Sequence, residues 1–145
     1  MRVLSWNVQG LGSQVKRKAI RSLLRKQRIE MSFLVETKLE VISKNVIKSI
    51  WWIDAFSYDF VPSLGSSVRI IVIWEQSKFE LVDVCQDPNF LHVRGTWCLE
   101  GWKCDMVMYR ASLERRRICG INCWLCLSRL PYPSAVVGIL TQSCV

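Results

Sequence analysis

The stretch Val3-Leu4-Ser5-Trp6-Asn7-Val8-Gln9-Gly10-Leu11-Gly12 constrains this chain more than any other. Its short apolar run predicts a buried strand whose last residues push Asn7 out of a sheet's carboxyl edge. Gly10 and Gly12 then turn the chain, because glycine takes positive φ at no steric cost. Ligands of open α/β sheets sit at the carboxyl ends of strands, so Asn7 is a candidate functional side chain. The plain alternative is an ordinary strand–turn junction.

A second run, Phe33-Leu34-Val35-Glu36-Thr37-Lys38, again ends in a polar group, about a helix's length after the first. Between them Ser13 is placed to cap a helix running to about Arg28. Val15, Ala19, Ile20, Leu23 and Leu24 fall on one face at helical spacing and are expected to pack on the sheet. Lys16, Arg17, Lys18, Arg21, Arg25, Lys26 and Arg28 form a positive run with no acid among them. Such a run serves either as a solvated outer face or as a non-specific attraction for phosphate backbones. Two strands joined by this helix form a βαβ-like pattern that brings Asn7 and Glu36 to one edge. An amide beside a carboxylate suits magnesium, which takes one or two carboxylates and keeps several waters. Glu36 as a solvated strand end is the alternative.

Ser-Trp-Asn-Val-Gln-Gly-Leu-Gly followed by Phe-Leu-Val-Glu-Thr-Lys resembles the start of the endonuclease/exonuclease/phosphatase (DNase-I-like) superfamily. More closely, it is similar to the endonuclease domain of plant LINE-type non-LTR retrotransposon proteins. The resemblance implies an α/β fold, a two-sheet β-sandwich with flanking helices, and magnesium-dependent cleavage of phosphodiesters in DNA. It assigns Asn7 to positioning phosphate and metal, and Glu36 to direct Mg²⁺ ligation. The family's usual Gln before that Glu is Val35 here. Cys104–Tyr109 followed by Leu113-Glu114-Arg115-Arg116-Arg117 continues the likeness and places Tyr109 near the scissile phosphate. The family's Asn two residues earlier has become Val107, and its Ala-Pro has become Arg110-Ala111.

Half of the 145 residues are hydrophobic and the net charge is +8, which favours a polyanionic partner such as DNA. Lys16, Arg17, Arg21 and Arg25 are the candidate nucleic-acid contacts. No apolar run is long enough to span a membrane, and no cleavable leader precedes the first strand. Seven cysteines, an odd number, suggest reduced thiols in an intracellular, nuclear or cytoplasmic, unsecreted protein.

Farther along, a helix is expected near Ser43–Trp52, then a strand at Ser57–Val61 ended by Pro62. The turn Ser63–Ser67 leads to a β-branched strand at Arg69–Trp74. Phe79–Val84 and Phe90–Gly95 alternate as meander strands around Asp87-Pro88-Asn89. The single histidine, His92, lies mid-strand and reads as structural. Most of the seven tryptophans read as core. Cys119, Cys123, Cys126 and Cys144 lack the regular ligand spacing of a zinc site.

Beyond Arg117 the resemblance ends, and no Gly-Asp-x-Asn or Ser-Asp-His occurs anywhere in the chain. Codons for Ile118–Trp124, read displaced to each third base, can spell Leu-Trp-Asp-x-Leu-Leu. Those for Val136–Ile139 can spell Gly-Gly-Asp. Both are motifs that the family carries at these places. The expectation is therefore residues 1–117 as the N-terminal part of such a domain and 118–145 as a poorly packed, out-of-frame tail. The chain is then a fragment of a DNA endonuclease without activity. The alternatives are a basic nucleic-acid-binding fragment and a retroelement remnant without function.

Overall fold

The computed structural model describes residues 1–62, 68–88, 90–109, 125–129 and 135–140. In chain order these form β1 (Arg2–Asn7), α1 (Gln14–Lys26), β2 (Met31–Leu39), α2 (Lys44–Ile50), β3 (Phe56–Pro62) and β4 (Val68–Glu75). There follow β5 (Phe79–Asp87), β6 (Phe90–Trp97), β7 (Trp102–Tyr109), β8 (Leu125–Arg129) and β9 (Ala135–Leu140).

Strands β3-β4-β2-β1 make the first sheet, continued past β1 by β9 and β8, and β5-β6-β7 make the second. β1 and β2 run parallel across α1, with Val3 beside Met31 and Asn7 beside Val35, as the βαβ-like pattern requires. β4 pairs antiparallel with both β2 and β3.

β2 and β4 are covered on both faces, which is why Met31–Val35 and Ile70–Trp74 are continuously buried and, Ser32 apart, apolar. On one side Leu4, Leu34, Ile71 and Ile73 meet Ile20 and Leu24 of α1 and Ile47 and Ile50 of α2. On the other, Val3, Phe33, Val35, Val72 and Trp74 meet Phe79, Leu91, Val93 and Trp97 of the second sheet. The layers are thus helices, sheet and sheet, the partial DNase-I-like α/β sandwich expected.

Several expectations are refined. Ser43 caps α2, its Oγ accepting from the Val46 N–H at 3.3 Å. Ser13 stands at the N-cap of α1 but makes no side-chain capping bond. Val15 is 78% exposed and Ala19 is exposed too, because Ile20 and Leu24 set the packing face. The half-buried Arg17 lies one turn before Ile20 on that face, where a long stem covers apolar surface while its head stays polar.

Trp51, Trp74 and Trp97 are buried, and Trp6, Trp52 and Trp102 pack against the cores, as their size favours. Cys85 and Cys98 are exposed thiols outside any disulfide. No helix among the described residues is long and apolar enough to cross a membrane.

Within the stretch expected to be a tail, residues 135–140 form β9, which pairs antiparallel with β1 from Arg2↔Ile139 to Trp6↔Ala135. Without it β1 would present unpaired N–H and C=O groups at a sheet edge, a template that accepts any extended backbone. The turn at 63–67, the Leu113–Arg117 motif, the boundary after residue 117, and Cys119, Cys123 and Cys144 lie outside the described residues.

Candidate functional site

Where β1 ends, the chain stays bound to β2. Val8 N–H donates to Val35 O at 3.0 Å, Gly10 N–H to Glu36 O at 2.8 Å and Leu11 N–H to Thr37 O at 2.7 Å. Val8 and Leu11 are buried in the helix-side core, so this loop is a packed extension of the sheet. Between them Gln9 and Gly10 turn the chain with φ of +48° and +97°. The Asn7 Oδ1 accepts from the Gln9 N–H at 3.1 Å, which fixes the amide's orientation and leaves its NH₂ free to donate elsewhere.

Two cations of α1 are tied to this loop. Lys16 Nζ donates to Gln9 O at 3.4 Å and an Arg17 guanidinium N–H to Leu11 O at 3.3 Å. Both are half-buried, whereas Arg21 and Arg25 are exposed. The four candidate contacts therefore divide into two that brace the loop and two that face solvent.

β2 turns over where Glu36 sits. Val35 pairs with Ile70 and Leu39 with Val68, so β2 runs four residues while β4 runs two. Val35 joins the core between the sheets but Leu39 joins the core under the helices. Glu36 and Lys38 produce the reversal, adopting left-handed φ of +57° and +53°, while Thr37 between them is fully buried. A left-handed non-glycine residue costs of order 1–3 kcal/mol, and such strain and such bulges cluster at functional sites.

The strain has a direct test. Glu36→Gly should be more stable than Glu36→Ala by about 1 kcal/mol, since only glycine takes this φ without a Cβ penalty. Urea unfolding midpoints that place the alanine variant level with or above the glycine variant would contradict the left-handed assignment.

The end of β7 approaches the same edge. Ser5 Oγ lies 3.5 Å from Met108 Sδ, and Tyr109 follows as the last residue of β7, paired with Phe90. Asn7 and Tyr109 are thus the last residues of β1 and β7, and Glu36 lies in β2 at the bulge just past the Val35 that pairs with Asn7. Sequence reasoning missed Gln9 and Lys38 here. Lys38 belongs to the quoted motif, and its Cδ lies 3.8 Å from the position of a Cβ on Gly10.

His92 takes no part in this edge. Its neighbours Leu91 and Val93 point into the core, and its ring faces outward, Nε2 3.1 Å from Asp105 Oδ1. Arg94 Nε donates to the same oxygen at 2.8 Å. That bond holds the Asp105 carboxyl below the ordinary carboxylate range, partial burial opposes it, and the His92 bond adds to it. This is the structural role read for His92 from sequence.

The donor set permits a limited kind of metal site. No group of three or more His, Cys, Asp and Glu side chains among the described residues is arranged to hold an ion. A lone carboxylate such as Glu36 is a donor set that magnesium can use, with water and phosphate oxygens completing its shell.

The fold matches solved structures. The catalytic domain of human Nocturnin, with bound sulfate, superposes with a TM-score of 0.57 at 11% identity, over 74% of this chain and 48% of that one. An endonuclease/exonuclease/phosphatase family protein from Bacteroides thetaiotaomicron gives 0.58 at 12%, over 74% and 49%. The chain has the endonuclease/exonuclease/phosphatase fold. The endonuclease domain of TRAS1, a telomere-specific non-LTR retrotransposon, shares it with a TM-score of 0.51 at 14% identity, over 74% of this chain and 44% of that domain. The chain spans about half the length of these structures. No protein-family model and no curated protein matches its sequence. Among the solved proteins that share the fold, the TRAS1 domain and the AP endonuclease LMAP from Leishmania major are endonucleases.

Proposed function

We propose that the chain is the first part of a magnesium-dependent DNA endonuclease of the non-LTR retrotransposon kind, keeping the metal-and-phosphate edge but not hydrolysing DNA as it stands. The observation that carries this reading is the gathering of left-handed Gln9, Glu36 and Lys38 around the paired ends of β1 and β2. Nothing in the packing of an ordinary strand end calls for three such residues, whereas a site that must aim side chains does.

In this reading Glu36 holds the magnesium ion, which when bound supplies a Lewis acid to a phosphoryl oxygen. Asn7, oriented by the Gln9 amide, donates its NH₂ to a phosphate oxygen. Tyr109, the last residue of β7, has by resemblance a place near the same phosphate. Residues 1–117 are the in-frame part and residues 118–145 the product of a displaced frame. The backbone pairing of β9 with β1 is compatible with that, because main-chain hydrogen bonds are indifferent to reading frame. The nucleotide sequence downstream of codon 117 tests the point. The displaced frame should encode Gly-Gly-Asp-like and Ser-Asp-His-like segments, and early stops without them would refute it.

Binding of DNA through α1 is a second reading, favoured by the exposed Arg21 and Arg25. Binding to a labelled duplex should fall steeply with salt, and Arg21→Ala and Arg25→Ala should each reduce the slope of log K against log salt by about 1. Unchanged slopes in both variants would remove this helix from the interface.

A further inference from the structure

We infer that the outer edge of β3 is a self-association site, where a second copy of this chain adds its own β3 antiparallel, in a register centred on Tyr58. β3 closes one end of the first sheet's strand order, and among the described residues only β4 pairs with it. Such an edge carries unpaired N–H and C=O groups that another strand can meet.

The neighbouring backbone bonds show which groups those are. Ala55 O accepts from the Gln76 N–H at 3.1 Å, continuing the β3–β4 ladder. Glu75 N–H donates to Glu30 O at 3.0 Å, so Glu75, Ile73 and Ile71 turn toward β2, and Trp74, Val72 and Ile70 turn toward β3. The partners of that second set, Ser57, Asp59 and Val61, therefore spend their backbone groups on β4. Phe56, Tyr58 and Phe60 present theirs outward. The Phe60 N–H agrees, since it bonds Asp59 Oδ1 at 2.7 Å. Pro62 stands at the next outward position and has no N–H to offer, so the usable edge ends at Phe60.

Along this edge the side chains match themselves when the strand is reversed. Pairing Phe56-Ser57-Tyr58-Asp59-Phe60 about Tyr58 sets Phe56 opposite Phe60, Tyr58 opposite itself and Ser57 opposite Asp59. The three aromatic residues all pack on the helix side, where Tyr58 and Phe60 are half-buried and keep surface for cross-strand aromatic pairs. Ser57 and Asp59 lie on the other side. Ser57 Oγ already accepts from Gln76 Nε2 at 2.9 Å, which leaves its proton for the half-buried Asp59 carboxylate of the other copy. Shifting the register one way sets Asp59 against Asp59, a like-charge pair, and Phe56 against Pro62. Shifting it the other way sets Asp59 against Ala55 and Phe60 against Asp54. A strand of another protein would meet the same backbone groups without this matching, so the edge fits a two-fold pair of this chain. The contact is small, and a dissociation constant of about 10 µM to 1 mM is expected.

Sedimentation equilibrium of the unmodified chain across that range should show monomer and dimer. Tyr58→Lys sets two like charges directly opposite and should raise the dissociation constant about fivefold or more. Oxidised with copper phenanthroline, Tyr58→Cys should form a disulfide joining position 58 of both chains, because opposed Cα atoms about 5.5 Å apart fit that bond. Phe60→Cys should not link to itself, since the two copies of that residue stand about 13 Å apart along the strands. Mass spectrometry of the linked peptides distinguishes these from links through the exposed Cys85 and Cys98. A chain that stays monomeric up to about 1 mM overturns the proposal. So does a dimer undiminished in Tyr58→Lys, or linkage at position 60 as abundant as at position 58. If a variant does not fold, a half-labelled NMR sample of the unmodified chain reads the same register. Hα contacts between Ser57 of one copy and Asp59 of the other are expected there, and a dimer without them overturns the proposal.

Discussion

Gly95→Val should abolish the cooperative unfolding transition of this domain, and Gly95→Ala should lower its urea midpoint. Gly95 is buried mid-strand in β6, between Leu81 of β5 and Cys104 of β7. A Cβ built there overlaps the Phe79 ring and the Glu80 carbonyl oxygen. The ring cannot swing aside, because Trp74 and Trp97 enclose it. The carbonyl belongs to β5, whose pairing with β6 already shifts register between Leu81 and Asp83. Overpacking of one methyl group typically costs about 1–3 kcal/mol, and a branched side chain pressing on backbone costs more. Domains of this size hold only about 5–15 kcal/mol in total. Losing the second sheet would uncover Val3, Phe33 and Val72 and release the end of β7 from β1. Tryptophan fluorescence in urea reads the effect, and a Gly95→Val midpoint near that of the parent chain would contradict the close approach.

The frame of the fold was legible because its strands carry clean patterns. Val3–Asn7 and Phe33–Glu36 are apolar runs ended by polar groups, and the parallel register of Asn7 with Val35 follows from the helix between them. The alternation of Phe90–Gly95 marked β6, with Leu91 and Val93 inward and His92 outward. The α1 face was misread because Val15 and Ala19 satisfy helical spacing, yet Arg17 lies on the packed side and is tied to Leu11 O. No apolarity count weighs an arginine stem as core.

The strain at the site was illegible for a different reason. Left-handed φ is normally announced by glycine or asparagine, and Gln9, Glu36 and Lys38 are neither. Only the surrounding hydrogen bonds, from Val8, Gly10 and Leu11 to the carbonyls of residues 35–37, impose that geometry. Gly95 reads from sequence as the end of an alternating strand, and its contact with Phe79 exists only once β5 and β6 pair.

The central claim is an edge that binds metal and phosphate without the groups that activate water. The proposed site uses Glu36, Asn7 and Tyr109, but no Gly-Asp-x-Asn or Ser-Asp-His lies in the 145 residues. The one histidine is on the outer face of the second sheet, bonded to Asp105. General-base activation contributes about 10²–10⁴-fold, and loss of one donor to the developing charge costs on the order of 10²–10³-fold. The two losses need not multiply, but either alone takes turnover far below that of an intact enzyme.

Nicking of supercoiled plasmid DNA in magnesium, with Glu36→Ala beside the unmodified chain, tests this most directly. The account predicts no more nicked circle from the unmodified chain than from Glu36→Ala. Nicking that requires magnesium and disappears in Glu36→Ala would contradict it and show that another residue of this chain serves as the base.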